Sequence, residues 1–241
     1  MRKPRQGELF KPRGGKRPGA GRPPKGARAG APHVVRPELA KRYPVHVVLR
    51  ASGVIGTLRR RDMYQAVRRA TLKAAERNDF RIVHISLQRT HVHLIVEAHD
   101  KRALARGMQG FQISAAKHVN RAFSRRRPGP RRRGAVFPDR YYAEIITSPR
   151  QARCSLSYVL NNWRKHREDR NAERDHWRID WYSSAGAFDG WTEAITDPMV
   201  RRAPNDYEPL RVMAPETWLL RVGWKIHGET ISRWEVPARP R

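Results

Sequence analysis

Cysteine is almost absent from this 241-residue chain. Cys154 stands alone, which excludes a disulfide framework and a Cys-rich zinc site. Long apolar runs are missing too. No stretch approaches the ~20 residues that cross a bilayer, and no apolar signal core follows the basic start at Met1–Arg5. These absences predict a cytoplasmic protein in a reducing compartment, with no membrane partner. Acidic residues are scarce: Asp+Glu number 22 against 51 Lys+Arg, a formal net charge of +29. Such an imbalance argues against most ordinary metabolic enzymes and for a polyanionic partner, nucleic acid first. Arg outnumbers Lys 41 to 10, and the planar guanidinium fork suits phosphate. Seven Trp, seven Tyr and six Phe are enough for a core, so the chain is more than a disordered basic tail.

Residues 1–43 carry thirteen Lys/Arg against two Glu, and fourteen of the 43 are Gly or Pro. That composition predicts a flexible basic arm. Within it, the run from Arg17 to Lys25 holds a Gly-Arg-Pro core at Arg22, and an extended Arg flanked by Gly and Pro could enter a narrow minor groove; a solvated charge run is the plainer reading. From Pro44 the chain turns periodic. Strands are predicted at 45–51, 81–88, 91–98 and 140–147, and helices at 60–78 and 101–123. The order β-α-β-β-α-β predicts an α+β, ferredoxin-like four-stranded sheet with both helices on one face and the other face left for a site. A third helix is expected over about 150–174. The catalytic-type domain would span 44–185, and a Trp-rich, nearly charge-balanced extension 186–241. Trp218, Leu219, Leu220 and Trp224 predict a short covering helix.

His91 and His93 lie at i and i+2 of a strand and leave the same face together. Two imidazoles so spaced can bind one divalent ion, or simply form a polar strand face. On the third helix Tyr158 and Asn162 are one turn apart and share a side. The Asn162 amide oxygen can add to a site begun by the histidines, with the Tyr158 phenol beside it. A packed aromatic on an amphipathic helix is the plainer alternative. A phenol has a pKa near 10 and needs a base or a cation to attack at neutral pH. Six arginines, Arg125, Arg126, Arg127, Arg131, Arg132 and Arg133, surround Pro-Gly-Pro in a loop and could clamp phosphate. His166 could touch phosphate or relay a proton, while His46, His84 and His99 have no evident partner in the sequence.

The run from Gln88 to Val96, the segment from Gly134 to Tyr141, and the run from Tyr158 to Asn162 occur together in an order that resembles the single-tyrosine HUH transposases. This is the insertion-sequence and REP-associated tyrosine transposase group. The resemblance covers about 44–185 and includes Trp181 to Ser184. It implies His91 and His93 as metal ligands, Asn162 as the third ligand and Tyr158 as the nucleophile, with Mg²⁺ or Mn²⁺ as cofactor. It further implies nicking and strand transfer on single-stranded hairpin or palindromic DNA through a 5′-phosphotyrosine. The setting would be a bacterial, nucleoid-associated one, and a homodimer is possible in that group. Trp163 stands where a Pro often follows the motif, which leaves the target DNA open. Two alternatives remain: a domesticated repeat-hairpin binder, and an RNA-binding module of the same topology. The latter needs aromatics on its central strands, and the third strand offers His91, His93 and Ile95 instead.

Overall fold

The computed structural model describes residues 35–171, 179–193, 207–226 and 230–237. Arg17 and Arg22 lie outside these residues. Strands β1 (Val45–Arg50), β2 (Phe80–Leu87), β3 (His91–Ala98) and β4 (Tyr142–Ile145) form one sheet in the order β2-β3-β1-β4. Each neighbouring pair is antiparallel. Helices α1 (Arg61–Ala74) and α2 (Lys101–Arg125) follow β1 and β3. This is the ferredoxin-like arrangement the sequence order predicts.

Strand alternation divides the two faces. Val45, Val47 and Leu49 of β1 and Val92, Leu94 and Val96 of β3 are buried in one core with Met63, Ala66, Val67 and Ala70 of α1 and Met108, Phe111, Ala115 and Val119 of α2. A register shift between Ile82 and His84 lets Ile82, Ile85 and Leu87 all join that core while Val83 joins another. Gly107 permits the close approach of α2 to β2, since a Cβ there would sit 2.2 Å from the Phe80 ring. Asp100 caps α2 by accepting from the amides of Arg102 and Ala103, both at 2.7 Å.

The second face is only partly open, which corrects the expectation of a bare sheet. Helix α3 (Pro149–Lys165) and the C-terminal segments pack on it. Leu156, Val159 and Leu160 of α3 bury against Val83, Ile95, Trp181, Phe188, Trp191, Leu220 and Trp224. Part of this wall is the short helix α4 (Trp218–Arg221). Its start is held by Glu97 of β3, whose carboxylate accepts from the Glu216 and Thr217 amides, both at 2.8 Å. Helix α3 begins at a Ser148 cap with Pro149 in the first turn. It is shorter than the predicted 150–174, because Arg167 adopts φ 55° just after the C-cap His166, the left-handed turn that ends a helix. At the other end of the chain, Leu39 is buried and Arg36 lies 3.6 Å over the Tyr141 ring. Arg36, Leu39 and Tyr43 therefore pack against the domain, while the residues between them are exposed.

The edge of β2 is covered. Tyr182 O accepts from Leu87 N and Ile85 O from Ser184 N, both at 2.8 Å, and Met213 N donates to Ile82 O at 2.8 Å. Behind this edge Arg59 makes a bidentate pair with the fully buried Asp180, at 2.8 and 2.9 Å. Removing one partner strands a buried charge. Arg59→Met is expected to cost about 3–5 kcal/mol of stability, read as a drop in the urea midpoint. Asp180→Asn in the same background should recover part of the loss.

The same strap fixes His84. Ser184 Oγ accepts from Ile85 N at 3.0 Å and is hydrogen-bonded to His84 Nδ1 at 3.1 Å. Burial pushes His84 down to about 4. An unfolded histidine titrates near 6.5, so the unfolded chain takes up this proton first as pH falls. His84 therefore contributes stability that is complete above pH 6.5 and lost as pH falls toward 4, on the order of 3 kcal/mol. Urea midpoints measured across that window should fall, and His84→Gln should flatten the slope.

Candidate functional site

The open part of the second face is a cavity of about 500 Å³ lined by His46, Val48, His91, His93, Tyr142, Glu144, Tyr158 and His166. Its floor is set by strand pairing. Val48 of β1 lies opposite both His93 of β3 and Tyr142 of β4. One row further, His46 lies opposite Glu144, and one row the other way Arg50 lies opposite His91. The i, i+2 spacing of His91 and His93 thus delivers both imidazoles to one cavity, their ring centroids 6.3 Å apart.

The two histidines differ in setting. His93 is buried and its Nδ1 lies 3.4 Å from His46 Nε2, with the rings stacked at 5.6 Å. His91 is half-buried and its Nδ1 lies 2.9 Å from Thr90 Oγ1. Burial holds His93 well below the usual imidazole value, helped by His46 and His91. Burial also lowers His91, with Arg50 and His166 adding to the effect. Burial alone pushes His46 to about 4. Burial thus favours the neutral form in all three rings, the form in which imidazole binds metal.

Tyr158 meets these rings edge-on. Its centroid lies 5.4 Å from that of His93 and 5.7 Å from that of His46. Lys165 Nζ lies 4.9 Å from the Tyr158 ring centre. The other side of α3 is gripped by residues 232–235. Glu235 pairs with Arg153 at 2.8 and 2.9 Å and accepts from Ser157 Oγ at 2.7 Å. Asn161 Nδ2 donates to Ser232 O at 2.9 Å and Arg164 Nε to Arg233 O at 2.7 Å. These contacts recur along α3 and hold Tyr158 over the sheet.

Asn162 does not line the cavity. It is fully buried, and neither its amide oxygen nor its nitrogen has a hydrogen-bond partner among the described residues. Such an orphaned amide is costly in a core. Of the loop arginines, Arg132 is tied inward to Asn120 and to the Gly134 and Ala135 carbonyls. Arg127 lies 4.7 Å over the Phe123 ring, while Arg125 and Arg126 turn toward α1. Arg131 and Arg133 are exposed. Cys154 is half-buried on α3.

Sequence reasoning missed His46, Tyr142 and Glu144. The signal for His46 was its period-2 partnership with Val48 and Arg50 on the face opposite Val45, Val47 and Leu49. That becomes informative only once β1 is placed beside β3.

Among the described residues, no three His, Cys, Asp or Glu side chains form a complete metal set. Two neutral imidazoles from one rigid strand, with an unsatisfied amide one turn beyond the tyrosine, fit a divalent ion whose remaining ligands come from solvent or phosphate. Fold and cavity together define a candidate phosphoryl-transfer site on a ferredoxin-like sheet. The family model described as Transposase IS200 like matches residues 40–162, just over half of the chain. The chain belongs to that family of DNA transposases. Among solved structures, the REP-associated tyrosine transposase bound to a REP hairpin is similar, at 16% identity, covering 56% of this chain and 74% of that one with a TM-score of 0.44. No curated protein matches. No helix of the described residues is long and apolar enough to cross a membrane.

Proposed function

We propose that the protein nicks and rejoins single-stranded or hairpin DNA with Tyr158 as nucleophile. The observation that carries this reading is the approach of the Tyr158 ring to His93 and His46 over one cavity. In the forward step Tyr158 Oη bonds to the scissile phosphorus and the bond to the 3′ oxygen breaks. The phenol proton leaves and the 3′ oxygen takes one up. The product is a 5′-phosphotyrosine and a free 3′-hydroxyl. Attack by a second 3′-hydroxyl reverses the step and needs no ATP, because one phosphodiester replaces another.

A divalent ion, Mg²⁺ or Mn²⁺, would be held by His91 and His93 and would polarise the phosphate oxygens. In this reading Asn162 is placed to contribute its oxygen only if α3 moves or an intervening water bridges it. Lys165 lies close enough to the phenol ring to stabilise developing phenolate. His166 is the exposed imidazole at the cavity and the candidate carrier of the phenol proton.

The central strands present His46, Val48 and His93 to the open face. They offer no Phe, Tyr or Trp there for base stacking, and the His46 and His93 rings are stacked on each other, which counts against an RNA-recognition sheet. The decisive experiment is a denaturing gel of labelled hairpin DNA incubated with the protein and Mn²⁺. A protein–DNA adduct supports the reading, and its absence over a range of hairpin sequences counts against it.

A further inference from the structure

The two histidines of β3 are engaged through the same ring atom. His91 Nδ1 lies 2.9 Å from Thr90 Oγ1, and His93 Nδ1 lies 3.4 Å from His46 Nε2. Both contacts trace back to β1. His46 stands on that strand, diagonal to His93, since Val48 is the residue directly opposite His93. The turn that carries Thr90 is tied to the end of the same strand, where Ala51 N donates to Thr90 O at 2.8 Å. Leu58 N donates to the preceding carbonyl, Arg89 O, at 2.9 Å. Strand β1 is itself central in the sheet, and Val45, Val47 and Leu49 anchor it in the helix-side core. His46 is 4% exposed, so its ring has little room to turn away from His93.

We propose that His46 and Thr90 are positioning residues that set the tautomers of His93 and His91, so that both rings take the divalent ion through Nε2. The proposal rests on the reading of His91 and His93 as ion ligands. A neutral imidazole has one N–H and one lone pair, and the partner of one nitrogen decides which atom carries the proton. For Nε2 to bind an ion, Nδ1 must hold the proton and donate it. His46 Nε2 and Thr90 Oγ1 are then the acceptors, and His46 carries its own proton on Nδ1. The Thr90 hydroxyl has lone pairs to accept with, and its exposure leaves its own proton to solvent. Ligand histidines are commonly oriented by carboxylates, carbonyls or water. Here an imidazole and a hydroxyl do so, and neither adds negative charge beside a phosphate.

His46 is not placed as a third ligand. Its Nε2 faces His93 Nδ1, and that lone pair is used there. The reverse arrangement, with His46 donating, would put the His93 proton on Nε2 and leave no lone pair for an ion. His46 also meets the Tyr158 ring edge-on at 5.7 Å, so its loss would disturb the tyrosine as well as the histidine. Ion binding, rather than adduct formation, is therefore the readout that isolates its role.

The test uses the full chain. Nitrogen-15 NMR of the metal-free protein reads the tautomer of each ring. His91 and His93 should both carry the proton on Nδ1, and a proton on Nε2 of His93 would overturn the proposal. Calorimetry with Mn²⁺ then compares His46→Phe with His46→Gln, and Thr90→Val with Thr90→Ser. Loss of an orienting partner costs about 10–100-fold in metal affinity, and His46→Phe and Thr90→Val should each fall by that much. His46→Gln and Thr90→Ser keep an oxygen that accepts, and should stay close to wild type. Thr90 lies in an exposed turn, so Thr90→Val gives an answer even where His46→Phe fails to fold. Unchanged Mn²⁺ affinity in folded His46→Phe or in Thr90→Val would overturn the positioning role. An equal loss in His46→Gln would overturn it too, by making His46 a direct ligand. A wild-type protein that takes up no Mn²⁺ would instead overturn the ligand reading on which the proposal rests.

Discussion

Tyr158→Phe is expected to abolish the covalent protein–DNA adduct while leaving DNA binding and metal binding intact. The change removes one oxygen and keeps the ring against His93 and His46, so α3 and its grip on residues 232–235 should survive. Loss of the attacking atom leaves no residual route, and the expected fall in adduct is to background, at least a thousandfold. The structure names the rival. Tyr142 lines the same cavity from β4 and is 60% exposed, whereas Tyr141 packs against the helix-side core. Tyr182 lies beside Arg59, whose guanidinium is 4.7 Å from its ring. Denaturing gels of each Tyr→Phe variant with labelled hairpin DNA and Mn²⁺ separate these cases. An adduct that persists in Tyr158→Phe and vanishes in Tyr142→Phe would move the nucleophile to the sheet while leaving the reaction class standing.

His91→Ala/His93→Ala is expected to remove divalent-ion binding, with affinity for Mn²⁺ falling at least a hundredfold by calorimetry or by the electron paramagnetic resonance of free Mn²⁺. Cleavage should be lost with it. The fold should tolerate the change at His91 more easily than at His93. His91 is half-buried at the cavity rim, whereas His93 is buried and stacked on His46. Retained Mn²⁺ affinity in a folded double variant would sink the ligand assignment. Asn162→Ala serves as a separate probe, since its amide has no hydrogen-bond partner to lose among the described residues. A drop in Mn²⁺ affinity there would mean that the amide reaches the ion in the loaded protein.

Much of the architecture was legible because it is written in periodicity. Alternation in His91–Val96 named the faces of β3, and the apolar stripes of α1 and α2 named the helices that cover one of them. The second core was legible only in part: the short helix bringing Leu219 and Leu220 was expected, and Trp224 with it, but not the rest. Its Trp181 and Trp191 sit in short turns and irregular segments, where no period links one to the next. The end of α3 was missed for a local reason: Arg167 takes a left-handed conformation that glycine would have advertised. In the site, His91 and His93 were found because their relation is two residues long. His46 was missed because it meets His93 across 47 positions of sequence. Tyr158 and Asn162 share a helical side, as their spacing suggested, yet the cavity takes only the tyrosine.

Strand β3 carries two messages on alternate letters. Val92, Leu94 and Val96 supply the core while His91 and His93 supply the site. Point substitutions can tune one message and spare the other, so the two can drift separately over generations. A single inserted or deleted residue inside the strand cannot, because it exchanges the faces of every position beyond it. Imidazoles would then enter the helix-side core and valines the cavity. Homologues of this chain should consequently vary in the length of the β2–β3 turn and of the loop before β4, while the spacing from His91 to Ala98 stays constant.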